Sequence, residues 1–125
     1  MDIPAELKYT KEHEWLKIDG NIAAVGITDY AQGELGDIVF VEMPAVGTEV
    51  KAMDTFGTIE AVKAVSDLFS PITGTVVEVN SQLEDDPMVV NRDPYGEGWM
   101  IKLEINNMEE VNKLLSADSY KTLVE

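Results

Sequence analysis

Short runs of alternating apolar and polar residues, separated by turn residues, make up most of this chain. Such runs predict strands rather than long helices. Leu16 and Ile18 flank Lys17, with Trp15 offset, and Asp19-Gly20-Asn21 then leads into an apolar run over 22–27. An Asp-Gly turn between two such runs predicts a hairpin. Residues 37–43 read as a strand ended by Pro44, and Ala45-Val46-Gly47 turns into Thr48-Glu49-Val50. A strand rises over 56–62, another descends over 66–69, and Pro71 breaks the ladder. Residues 72–80 alternate cleanly, 88–91 suggest a brief pairing, and 99–105 form the last strong strand.

Helical signals are fewer. Thr28-Asp29 starts a two-turn helix through Ala31, Gln32, Glu34 and Leu35, with Gly36 as its stop. A helix that short has to be held by packing. Residues 81–86 read as a loop or a single helical turn. Asn107 caps a helix running to Leu115, with Met108, Val111, Leu114 and Leu115 on one face, and Ser116 opens another containing Tyr120 and Leu123. Many short strands with a few helices point to a mainly β sandwich or barrel. A faint internal echo, Val46-Gly47-Thr48-Glu49-Val50 against Ile72-Thr73-Gly74-Thr75-Val76-Val77, lies on either side of Lys63.

Composition narrows the function. One domain is expected at 125 residues. Nine Lys and Arg stand against 24 Asp and Glu, a net charge of −15. That argues against nucleic acid and against anionic membrane surfaces, since both need clustered cations. It favours docking onto basic protein patches. Cysteine is absent, which removes disulfides, thiolate metal sites and a thiol nucleophile. The single histidine, His13, is too little imidazole for zinc or triad chemistry. Glu84-Asp85-Asp86 with Asn91 and Asp93 lacks the ligand alternation and the glycine of a calcium loop. No apolar run or basic amino-terminal region suggests a span or a targeting segment, so a cytoplasmic protein is expected.

Lys63 has the most distinctive surroundings: Gly57-Thr58-Ile59-Glu60-Ala61-Val62-Lys63-Ala64-Val65-Ser66-Asp67. The frame Ala-Val-Lys-Ala-Val is nearly symmetric. Small and β-branched residues suit two strands that meet at the lysine. A lysine presented on a hairpin tip, with no activating pocket, is better suited to accept a covalent group than to act as a catalytic nucleophile.

Residues 60–67 around this lysine resemble the lipoyl-attachment segment of the glycine cleavage system H protein family. The likeness continues, in the family's order, through His13-Glu14-Trp15, 25–32, 35–41, 70–74, 77–80 and Pro94-Tyr95-Gly96-Glu97-Gly98-Trp99-Met100. It spans about residues 7–120. Biotinyl carriers differ in flanking their lysine with Met, and the lipoyl domains of 2-oxo acid dehydrogenases usually place Asp before it.

The resemblance implies a lipoyl-domain barrel-sandwich hybrid of two small antiparallel sheets. The whole of 1–125 would be a single carrier domain, with a lipoyl core at about 20–105 and C-terminal helices at about 107–124. It implies lipoate in amide linkage on Lys63. A decarboxylating glycine dehydrogenase would load an aminomethyl group onto one sulfur, and an aminomethyltransferase would pass the carbon on. Dihydrolipoyl dehydrogenase would reoxidise the dithiol, and a lipoate ligase or a lipoyl/octanoyl transferase would attach the group. The chain would then be a shuttling substrate, expected as a monomer, rather than an enzyme. Glu14 and Asp67 would meet the protonated amine of a docked arm, Glu60 and Asp67 would mark the hairpin for the ligase, and Glu12 occupies a position where the family varies. The same hairpin would also serve a relay protein that donates lipoyl groups to 2-oxo acid dehydrogenases, and a lipoyl-like binding module could lack the modification altogether.

Overall fold

The structure, a computed structural model, describes residues 2–125. Strands β1 (Lys8–Tyr9), β2 (Glu14–Asp19) and β3 (Ile22–Ile27) open the chain as an antiparallel meander. Asp19 pairs with Ile22 across the expected tight turn, and Gly20 takes φ +65° there. A left-handed backbone in such a two-residue loop is what glycine allows cheaply. Helix α1 (Asp29–Leu35) follows, with the Thr28 hydroxyl accepting from the Ala31 amide at 3.2 Å and Gly36 closing it at φ +82°. Both helix signals in the sequence are therefore used.

Strand β4 (Ile38–Glu42), β5 (Glu49–Val50), β6 (Thr55–Ala61), β7 (Val65–Phe69), β8 (Gly74–Val79) and β9 (Ile101–Ile105) complete two antiparallel sheets. One has six strands in the order β1-β2-β3-β9-β8-β5, and the other has three in the order β4-β6-β7. The sheets do not close on each other, as a barrel-sandwich hybrid requires. The two echo segments lie side by side: Glu49 pairs with Thr75 and Val50 with Gly74. The amide of Gly47 extends this contact by donating to the Val76 carbonyl at 2.7 Å.

The main core lies between the sheets. Leu16, Val25, Ile38, Ile59, Leu68 and Leu103 are all buried there. A second cluster joins the amino-terminal strands to helix α5 (Ala117–Val124), where Tyr120 stacks on Tyr9 with ring centroids 4.7 Å apart.

Two sequence expectations need correction. Residues 88–91 do not pair as a strand. They belong to helix α3 (Val89–Arg92), which follows α2 (Gln82–Asp85). Pro87 explains this, because a proline in an opening helical turn forfeits no hydrogen bond. Its carbonyl accepts from Val90 at 3.2 Å. The helix capped by Asn107 is also shorter than expected, ending as α4 (Met108–Asn112). Leu115 is drawn away to Tyr9, where it exchanges two backbone hydrogen bonds at 2.9 and 2.8 Å. Pairing with an edge strand here wins over the local helical pattern.

Burial along the hairpin of β6 and β7 fades sharply toward its tip. Ile59 is fully buried, Val62 is 75% exposed and Val65 67%. Ile59→Ala is therefore expected to cost about 2–5 kcal/mol, the usual penalty for emptying a core site. Lys63→Ala should stay within about 0.5 kcal/mol. Denaturant melts of the two variants check both values.

Candidate functional site

Lys63 lies in the turn between β6 and β7, beyond the last buried pair of the hairpin. The Ala61 amide donates to the Ala64 carbonyl at 2.7 Å, which closes the turn. The Val62 amide donates outward to the Asp37 carbonyl at 3.0 Å, so the tip is tied to the segment just after α1. The lysine's methylenes run along Gly36. A Cβ at Gly36 would sit 3.3 Å from Cε of Lys63. The glycine thus both ends the helix and clears a path for the lysine. Among the described residues the ion pairs are Arg92–Asp86 and Lys102–Glu78, and Lys63 is in neither. Its ammonium is spare as far as the fold is concerned.

At the foot of the hairpin is a hollow of about 290 Å³. Ile27, Ala31, Leu35, Ile59 and Leu68 give it an apolar floor. Glu12, Glu14, Glu34 and Asp67 bring four carboxyl groups to its wall. The structure therefore brings Glu14 and Asp67 together, although they are far apart in the chain. Asp67 is exposed and sits across from Thr58 on β6. Glu60 goes elsewhere: it is exposed, pairs with Val65 next to the tip, and does not line the hollow.

Glu14 differs from the other three acids. It is only 2% exposed. The Thr10 hydroxyl donates to its Oε1 at 2.6 Å, and the Phe69 amide approaches Oε2 at 3.4 Å. Burial penalises the charged form and pushes this carboxyl up to about 7, outweighing the two hydrogen bonds that favour ionisation. A carboxyl poised there ionises readily when a cation arrives.

His13 also lines the hollow and has the strained φ of +71°. Its Nδ1 lies 2.8 Å from the Tyr120 hydroxyl, which in turn lies 2.7 Å from that of Thr28, the cap of α1. Burial raises Tyr120 to about 12 and lowers the affinity of His13 for a second proton. The chain from α5 to the hollow is thus neutral near pH 7. Sequence reasoning set His13 aside as too little imidazole for zinc or triad chemistry. It did not place His13, Tyr30 or Glu34 at the hollow, because their convergence depends on how α1 packs against β2 and β7. The i, i+4 spacing of Ala31 and Leu35 was the one signal for an apolar helix face here.

The glycine cleavage H-protein family model matches residues 7–125. The chain belongs to the glycine cleavage H-protein family. It is 57% identical over 123 residues to a glycine cleavage system H protein of Carboxydothermus hydrogenoformans, covering 98% of this chain and 95% of the relative. A protein of the same description from Staphylococcus haemolyticus is 55% identical over 124 residues, covering 99% and 98% of the two chains. A crystal structure of a glycine cleavage system H protein from Mycobacterium marinum superposes with a TM-score of 0.89 at 41% identity, covering 96% of this chain and 97% of that one. No helix among the described residues of this family member is long and apolar enough to cross a membrane.

The raised value for Glu14 has a consequence for stability. A group that holds its proton more tightly when folded stabilises the fold below its unfolded value, and that stability is lost as pH rises through the folded one. Between pH 4.5 and about 7 the wild type should therefore lose stability relative to Glu14→Gln. The gap should approach the order of 3 kcal/mol, since each tenfold gain in proton affinity is worth about 1.4 kcal/mol. Paired urea melts across that range measure it.

Proposed function

We propose that Lys63 carries lipoate in amide linkage, and that the hollow beside the hairpin receives the arm. The chain is a carrier of the glycine cleavage system, not a catalyst. The observation behind the site assignment is the tip itself: a lysine with no ion-pair partner among the described residues, held out on a closed turn and lying over a glycine that leaves its path clear. Acylating Nζ would remove a charge that the fold does not use. The hollow suits such an arm, because an apolar chain would meet the Ile27, Leu35 and Leu68 floor.

Lipoate, when bound, would supply a cyclic disulfide that opens to accept a one-carbon amine on one sulfur and is left as a dithiol when the carbon is handed on. The chain's own residues do the rest. Leu35 and Ile59 exclude water from the floor of the hollow. Glu14 gives up its proton when a cationic amine comes within hydrogen-bond reach, and the resulting carboxylate holds that amine. Asp67 supplies a second, solvent-exposed carboxyl group in the same hollow. A charge-assisted hydrogen bond of this kind is worth about 1.5–3 kcal/mol. Glu60 lies beside the tip and outside the hollow, which fits a role in recognition of the hairpin by the attaching enzyme.

The partners follow from membership in the system: a decarboxylase that loads the arm and an aminomethyltransferase that unloads it. Dihydrolipoyl dehydrogenase and a lipoate ligase or lipoyl/octanoyl transferase complete the proposed set, with the chain acting as a monomer. No observation favours the relay role over carriage within glycine cleavage.

Intact mass and peptide mapping after incubation with a lipoate ligase and ATP test the assignment. Modification should map to Lys63 alone, and Lys63→Arg should take up nothing. Lipoylation retained in that variant would refute it. A net charge of −15 also predicts that association with the decarboxylating partner slows as salt rises. Stopped-flow association rates at low and high ionic strength check this, and flat rates would speak against electrostatic docking.

A further inference from the structure

We propose that Asn91, on α3, is a positioning residue for Lys63, acting through the strap of residues 36–38. This rests on the reading of Lys63 as the modified residue. The hairpin that bears Lys63 reaches out of the core, and among the described residues the backbone tie at its tip, one step beyond the pairing of Ile38 with Ala61, runs from the Val62 amide to the Asp37 carbonyl. That tie is only as firm as the strap it grips. Gly36, at φ +82°, is in a region open to glycine and costly for other residues, so the strap has little intrinsic stiffness at that end.

Asn91 supplies the stiffness. Its Nδ2 donates to the Gly36 carbonyl at 2.9 Å, and its Oδ1 accepts from the Ile38 amide at 2.9 Å. The two bonds clasp the residues on either side of Asp37. The orientation of the amide is fixed by chemistry, because a carbonyl only accepts and a backbone N–H only donates. Nδ2 also donates to Gln32 Oε1 at 2.9 Å, which ties the clasp to α1. Three groups are thus satisfied by one side chain from a helix far along the sequence. The same strap carries Gly36, along which the Lys63 methylenes lie. Fixing the strap therefore sets both the backbone of the turn and the direction of the lysine.

An enzyme that acts on Lys63 has to bind the turn in one conformation. Where the turn is already ordered, that cost has been met during folding; where it is loose, it appears as weaker binding. The variants to compare are Asn91→Ala, which loses the clasp, and Asn91→Asp, which has nearly the same shape but cannot donate to Gly36. In Asn91→Ala the Val62 amide should exchange with solvent at least about tenfold faster, by local opening, while amides in β3 keep wild-type protection. With a lipoate ligase, kcat/KM for the protein substrate should fall about fivefold or more, mainly through KM. Asn91→Asp should share the direction of both changes.

Wild-type protection at Val62 in Asn91→Ala would overturn the proposal. So would Asn91→Asp matching wild type in both measurements, since the side chain would then act by its volume alone. If wild-type protein took no lipoate, the reading of Lys63 would fail instead, and the exchange data would still decide whether Asn91 holds the turn.

Discussion

The burial of Ile59 and Leu68 between the two sheets is the constraint on which the lysine end of the molecule depends. These side chains anchor β6 and β7 to the core. Beyond them the strands have nothing left to bury against, so the hairpin runs out past the rim of the sandwich. The tip gains exposure because the core ends there, and no separate device is needed to expel it. Ile59 and Leu68 also form part of the floor of the hollow. A change that loosened them would blur the support for the tip and the shape of the hollow together.

The hollow exists because three separate pieces of chain meet at one corner. β2 brings Glu14, α1 brings Ala31 and Leu35, and β7 brings Asp67. Glu14 sits in the six-stranded sheet, and across the corner it meets the Phe69 amide of the three-stranded sheet. Its desolvation raises its affinity for a proton without help from any neighbouring charge of large effect. Asp67, next to Leu68 in the chain, stays in water. One corner therefore holds a dry acid and a wet one, and burial has raised the proton affinity of the dry one.

Much of the fold was legible because its signals are local. Thr28 and Gly36 bracket α1 as capping chemistry dictates, and Asp19-Gly20 turns the first hairpin. The resemblance around Lys63 identified the family, and its two-sheet architecture is the one observed. What was hidden depends on distance in the chain. Nothing near Leu115 in sequence reveals that Tyr9 offers it an unpaired strand edge. Nothing near Asn91 reveals a strap 55 residues earlier. In sequence Asn91 ended a segment, 88–91, that suggested only a brief strand pairing. Burial of Glu14 was equally invisible, since its neighbours Glu12 and His13 suggest a wet turn.

The three-stranded sheet leaves β4 and β7 as open edges, with Val39, Phe40 and Val65 exposed along them. Unpaired edges with apolar side chains invite another strand to add on. A bulge between Ile38 and Phe40 interrupts one of these edges. The acidic surface does the remainder, because two copies that approach edge to edge bring like charges together. That protection is colloidal in nature and belongs to the solvent as much as to the chain. Near the isoelectric point of about 4.2 it vanishes, and the exposed strand edges become a template for self-association.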